Sequence, residues 1–193
     1  MAPTQLTQFI YQSNLVSLTT AQAIAERFAQ RRLLKNEFLL KAGQIADNYF
    51  FLGQGYMRAF AADTTGSEVT TNFYGPGQMV FEVFSFFNRT RSKENIQTLT
   101  DCDGWFITYS QLNELFHALP EFREFGRSML VKGFSELKSR MLSTITEAAE
   151  ERYVHLLSSH PELFRHASLK HIASYLGITD TSLSRIRAAV SKK

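Results

Sequence analysis

The sequence predicts an α+β protein. An N-terminal antiparallel β-roll of the jelly-roll, or double-stranded β-helix, type with flanking helices leads into a long helix and a C-terminal helix-turn-helix. Three observations carry this reading. Over residues 32–109 short apolar runs alternate with turn signals, and no helical period fits them. From Ser110 onward the apolar spacing turns helical and stays so. Residues 168–190 then place the residue types that two crossing helices need at fixed offsets.

The chain opens on a helical pattern. Thr19 and Gln22 have capping-box spacing, and Ala23, Ile24, Phe28 and Leu33 follow at roughly helical intervals. The roll is read from its punctuation. Phe38-Leu39-Leu40 ends at Ala42-Gly43, and Tyr49-Phe50-Phe51-Leu52 ends at Gly53-Gln54-Gly55. Residues 56–61 stop at Asp63-Thr64-Thr65-Gly66, and residues 69–74 at Gly75-Pro76-Gly77. After a looser stretch come residues 96–99, the turn Asp101-Cys102-Asp103-Gly104, and residues 105–109.

Pro120 suits the first turn of the next helix. Leu130, Phe134, Leu137, Met141, Thr144 and Ala148 recur at alternating spacings of four and three, a heptad seam. A helix over residues 120–158 would rise about 57 Å, more than a small roll can cover. The seam is therefore expected to pack on a second copy, with Leu130, Phe134, Leu137 and Met141 as the dimer interface. The competing arrangement lays the stripe against its own chain.

In residues 168–190, Ile172 and Leu176 lie one turn apart, Ala173 is small enough for a close crossing, and Gly177 can end the first helix. Ile178 plugs the turn, Thr179 or Asp180 can cap the second helix, and Leu183 and Ile186 return to the core. Thr181, Ser182, Arg185 and Arg187 then point outward. Such a helix fits the major groove of double-stranded DNA. Arg185 can pair bidentately with guanine, while Thr179, Ser182 and Lys170 can hold phosphates. Charge agrees. The chain carries +3 overall, yet residues 166–193 carry +4, from Lys170, Arg185, Arg187, Lys192 and Lys193 against Asp180.

Composition excludes other classes. With 44% hydrophobic and 20% charged residues the chain is globular, and no apolar run is long enough for a membrane span. The N-terminus lacks the layout of a secretory leader, and the lone Cys102 cannot form an internal disulfide or a four-cysteine metal site. A cytoplasmic setting is expected. The five histidines are His117, His155, His160, His166 and His171, none of them between Arg32 and Tyr109, so a cupin-like metalloenzyme lacks its ligands. No phosphate loop or nucleophile elbow occurs, and no catalytic or metal residue is predicted. The remaining alternative is a ligand-sensing module that acts through protein contacts without binding DNA.

These pieces, in this order, resemble the cyclic-AMP receptor protein/Fnr superfamily of transcription regulators over nearly the whole chain. The resemblance rests on Leu176-Gly177-Ile178-Thr179 and Leu183-Ser184-Arg185-Ile186 in the DNA-reading segment. It rests also on residues 51–58 and Gly75-Pro76-Gly77 in the roll. It implies a cyclic-nucleotide-binding roll over residues 1–119, a dimerisation helix over 120–158, and a helix-turn-helix domain over 159–193. It also implies a homodimer on an inverted-repeat operator, with RNA polymerase as a further partner.

Departures from the family matter. Thr181 stands where the family's recognition helix usually has Glu, which implies a different base preference, and few residues remain for a wing hairpin. The family's cyclic-nucleotide binders carry Phe-Gly-Glu and, about ten residues on, an Arg for the cyclic phosphate. This chain has Val80-Phe81-Glu82, and its Arg position reads Ser92, followed by Lys93, Glu94 and Asn95. Glu82, Arg91, Ser92 and Lys93 are the candidate ligand residues. The expected effector is a cyclic nucleotide other than cyclic AMP, another small molecule, or none.

Overall fold

The computed structural model describes residues 4–191. Helices α1 (Thr4–Tyr11) and α2 (Leu18–Ala25) precede strands β1 (Ala29–Leu33), β2 (Phe38–Leu40), β3 (Asn48–Gln54), β4 (Met57–Ala62), β5 (Glu68–Tyr74) and β6 (Gln78–Val80). A short helix α3 (Val83–Asn88) comes before β7 (Asn95–Thr98) and β8 (Cys102–Thr108). The rest is helical: α4 (Tyr109–Ala118), α5 (Pro120–Thr146), α6 (Ala149–Ser159), α7 (Leu163–His166), α8 (Leu169–Tyr175) and α9 (Asp180–Val190). Lys192 and Lys193, counted above in the basic tail, lie outside the described residues, as do Met1, Ala2 and Pro3.

The strands form two four-stranded antiparallel sheets, ordered β1-β8-β3-β6 and β2-β7-β4-β5, which is the predicted roll. β3 shows why its apolar run does not alternate. Phe50 and Leu52 face one side, Tyr49 and Phe51 the other, and all four are buried. The ring of Phe51 meets Phe9 of α1 at 5.1 Å, and that of Tyr49 meets Phe86 of α3 at 6.0 Å. Helices thus cover the outer face of this strand. Phe122 and Phe125 carry the core into the first turns of α5.

Several expectations need correction. The N-cap of α2 is Ser17, whose hydroxyl accepts from the Thr20 amide at 3.1 Å, not Thr19. The helix ends at Ala25, and Leu33 lies in β1, whose polar Gln30-Arg31-Arg32 is held by pairing with β8 rather than by an apolar pattern. The looser stretch contains β6 and α3.

The helix expected over residues 120–158 is two helices. Glu147 (φ −107°, ψ 148°) and Ala148 (φ −66°, ψ 151°) are extended. The Ala148 amide donates to the Glu151 carboxylate at 2.9 Å, and Arg152 donates to the Glu147 carbonyl at 2.6 Å. These bonds satisfy the backbone groups that the break exposes. The uninterrupted helix α5 therefore rises about 40 Å, and Ala148 falls off the seam.

α6 does not belong with the seam either. Tyr153 and Leu156 join Leu163, Ala167, Ile172, Ala173, Leu176 and Leu183 in a second core, which also takes in Leu99 of the roll and packs against Tyr56 and Phe73. The C-terminal unit therefore starts near residue 149, before the expected boundary at 159. No helix among the described residues is long and apolar enough to cross a membrane.

Candidate nucleic-acid interface and effector cavity

The helix-turn-helix is built as its residue types require. Ser168 caps α8, its side chain accepting from the His171 amide at 3.2 Å. Ile172, Ala173 and Leu183 are fully buried where α8 and α9 cross, and Leu176 nearly so. Gly177 takes φ +68°, the left-handed conformation that ends α8 and that only glycine adopts without penalty. A Cβ there would touch nothing within 4 Å, so only the backbone resists a side chain. Gly177→Ala should lower stability by about 1 kcal/mol, read as a fall in thermal midpoint with recognition-helix contacts intact.

Of the two candidate caps for α9, Thr179 is the one used: its Oγ1 accepts from the Ser182 amide at 3.2 Å and lies 3.0 Å from Ser182 Oγ. Asp180 sits in the first turn, where the helix dipole favours a negative charge. Thr181, Arg185 and Arg187 are exposed, Ser182 is half-buried, and Leu183 and Ile186 face inward. Lys170 is exposed at the start of α8. α9 thus exposes a hydroxyl and a guanidinium one turn apart, Thr181 and Arg185, with Arg187 at its flank, on a rigidly capped helix.

The seam on α5 is bare. Leu130, Leu137 and Met141 are exposed, and Phe134 is 70% exposed. Val131, Leu142 and Ile145 extend the apolar surface along the same helix. The roll covers only the first turns of α5, through Phe122, Phe125 and Gly126. The stripe therefore does not lie against its own chain.

The candidate ligand residues separate. A cavity of about 510 Å³ is lined by Leu39, Leu40, residues 43–48, Phe81, Glu82, Arg91 and Ile96. It brings together Glu82 and Arg91. Ser92 and Lys93 are not in its wall. Ser92 is buried in a turn, where its hydroxyl bonds the backbone of Glu94 at 2.8 and 3.0 Å, and Lys93 is exposed.

Glu82 is committed as well. Its carboxylate caps α3, accepting from the Phe84 amide at 2.9 Å and the Ser85 amide at 2.7 Å. Arg91 donates to the Gly43 carbonyl at 3.1 Å. Arg89, which has left-handed φ at the end of α3, donates to Asp47 at 2.8 Å and lies 4.3 Å over the Tyr109 ring.

Glu94 is half-buried, and burial pushes its carboxyl above the usual range, helped by the nearby charge of Glu82. A cyclic phosphate in the cavity would meet the Glu82 carboxylate and a single guanidinium, Arg91, which already donates to the Gly43 carbonyl. In calorimetry, cyclic AMP should bind more weakly than micromolar. Micromolar or tighter binding would show that Arg91 or Lys93 reorganises to take the phosphate.

Sequence reasoning missed one group of residues. α8 packs on β5 through Ser174 and Tyr175, and Arg140 of α5 reaches both elements. Nothing in the local pattern of any of these segments marks the contact, because each residue is unremarkable in its own helix.

Comparison with known proteins agrees with this geometry. Residues 30–118 match the model of the cyclic nucleotide-binding domain family. The transcriptional activator protein Anr of Pseudomonas protegens is 24% identical over 185 residues, which cover 90% of this chain and 74% of Anr. The structure of FixK2 from Bradyrhizobium japonicum superimposes with a TM-score of 0.72 at 16% identity, covering 86% of this chain and 85% of FixK2. The c-di-GMP-responsive global regulator CLP of Xanthomonas campestris gives a TM-score of 0.68 at 18% identity, covering 95% of this chain and 91% of CLP. These likenesses span the roll, α5 and the C-terminal unit. The chain is a homologue, in sequence and in structure, of the transcription regulators of the Crp/Fnr family, and its residues 30–118 match the cyclic nucleotide-binding domain family.

Proposed function

We propose that this chain is a homodimeric, sequence-specific DNA-binding transcription regulator. In this reading α9 reads base edges, the exposed face of α5 joins two copies, and the roll is an effector domain not tuned to cyclic AMP. The carrying observation is the outer face of α9: Thr181, Arg185 and Arg187 stand exposed on a helix fixed by its Thr179 cap and by buried Leu183. Arg185 is assigned to base reading, Arg187, Thr179, Ser182 and Lys170 to phosphates and register. The functional units are the roll over residues 1–119, the dimerisation segment α5, and the DNA-reading unit from α6 onward. The operator-bound dimer would work in the cytoplasm and offer its free faces to RNA polymerase.

That CLP responds to c-di-GMP supports an effector other than cyclic AMP for this fold. Here the Glu82 carboxylate in the cavity wall and Ser in place of Arg at position 92 point the same way. Selection of bound duplexes from a randomised pool tests the DNA-reading assignment. It should enrich an inverted repeat whose half-site centres lie about 10 base pairs apart, one helical turn. A pool without enrichment, with or without added nucleotides, would overturn the assignment.

A further inference from the structure

The C-terminal unit does not hang free of the roll. α8 lies on β5. The Thr70 amide donates to Ser174 Oγ at 3.1 Å, the two hydroxyls are 3.0 Å apart, and the rings of Phe73 and Tyr175 are 5.1 Å apart. Arg140 lies 4.3 Å over the Tyr175 ring and donates to the Thr71 carbonyl.

One turn before Ser174 on α8 stands His171. Its Nδ1 is buried and has no hydrogen-bond partner among the described residues. The charge that bears on it most is Arg58, on β4 opposite Phe73 and only 3% exposed. Nη2 of Arg58 bonds Glu68 at 2.5 Å and Gln97 at 3.2 Å, and the guanidinium lies 3.9 Å over the Phe60 ring. Its Nε and Nη1 have no partner among the described residues.

We propose that this contact is proton-sensitive: His171, whose Nδ1 is buried without a partner where α8 docks on the roll, holds the DNA-reading unit there while it is neutral, and acid releases it. A neutral imidazole adds no charge to a dock that already holds the buried guanidinium of Arg58. An imidazolium brings a second cation into the field of a guanidinium already withdrawn from water. The charged groups facing His171 are Arg58 from β4, Glu68 from β5 and Lys170 on its own helix. Only Glu68 favours the cation, and its half-exposed carboxylate is committed to Arg58.

Burial first, then Arg58, hold the imidazole below the ordinary histidine value. Once α8 lifts away, His171 returns to that value and takes up a proton. The docked form binds fewer protons, so docking is undiminished above the ordinary histidine range. It weakens as pH falls below that range. Thr181, Arg185 and Arg187 are exposed in the docked form. Release therefore changes how the two reading helices of a dimer are held, and leaves their chemistry unchanged.

The test needs no DNA, so its failure leaves the DNA-reading assignment standing. Amide hydrogen exchange of the full chain, corrected for intrinsic pH dependence, is followed from about pH 7.5 to about pH 5.5, across the histidine range. In the wild type, protection at residues 69–71 and 172–175 should fall several-fold as His171 takes up its proton. In His171→Gln it should stay level. A wild type that stays level, or a His171→Gln protein that falls in parallel, overturns the proposal. Should His171→Gln be unprotected at every pH, the His171 ring of the wild type is titrated by magnetic resonance. A depressed midpoint coinciding with the loss of protection supports the switch, and an ordinary midpoint in the docked protein overturns it.

Discussion

Replacing both Phe134 and Leu137 with Glu should convert the protein to monomers in sedimentation and abolish tight operator binding. Both side chains are exposed in one copy, at 70% and 61%, so neither supports the fold of the protomer. In a symmetric pair four such side chains would be buried, each contributing roughly 1.5–3 kcal/mol. Their sum is of the order of the 8 kcal/mol that corresponds to a micromolar dimer. Four facing carboxylates would add repulsion across the seam. Thermal stability of the protomer should change by less than about 0.5 kcal/mol, as expected for surface positions. A double variant that remains dimeric would show that copies meet elsewhere and that the face of α5 has another occupant.

Arg185→Ala should weaken binding to the selected operator by about 1–3 kcal/mol per half-site and relax preference at one base position in each half. The reason is geometric: Arg185 is exposed on the outer face of α9, clear of the buried Leu183. Lys170→Ala should behave differently. Lys170 is exposed at the start of α8 and is assigned to a phosphate. Its loss should weaken all duplexes alike and reduce the slope of log affinity against log salt by about 0.9 per contact. An Arg185→Ala protein with unchanged base preference would reassign Arg185 to the phosphates.

The fold was largely legible because its punctuation is local. The turns at Gly53-Gln54-Gly55, Asp63-Thr64-Thr65-Gly66 and Gly75-Pro76-Gly77 delimit β3, β4 and β5 closely. The helix-turn-helix was legible for the same reason. Ile172, Ala173, Gly177 and Leu183 each have one physical task at one offset, and the structure gives each of them that task.

What escaped depends on partners distant in sequence. β1 looks helical by itself and becomes a strand because β8 offers it an edge. The break at Glu147 and Ala148 was hidden because Ala148 cannot cap with its own side chain. The Glu151 carboxylate, three residues on, was the available signal.

The candidate effector site shows a subtler limit. Glu82 stands at the position that the family uses for a ligand, yet its carboxylate is spent on the Phe84 and Ser85 amides. Ser92 is folded into its own turn. Residue type located the cavity, while the hydrogen bonds that withdraw these groups from it appear only in three dimensions. The dock of α8 on β5, joined through Thr70 and Ser174, was likewise invisible to any local pattern.

The central claim is that α9 reads sequence in DNA. Its most direct test is competition binding of the wild-type dimer between the selected inverted repeat and random duplexes of equal length, at two salt concentrations. The account predicts a preference for the repeat of about a thousandfold or more, with a ratio that persists as salt weakens both affinities. Equal affinity for repeat and random duplexes at both salts, with the dimer intact, would contradict it.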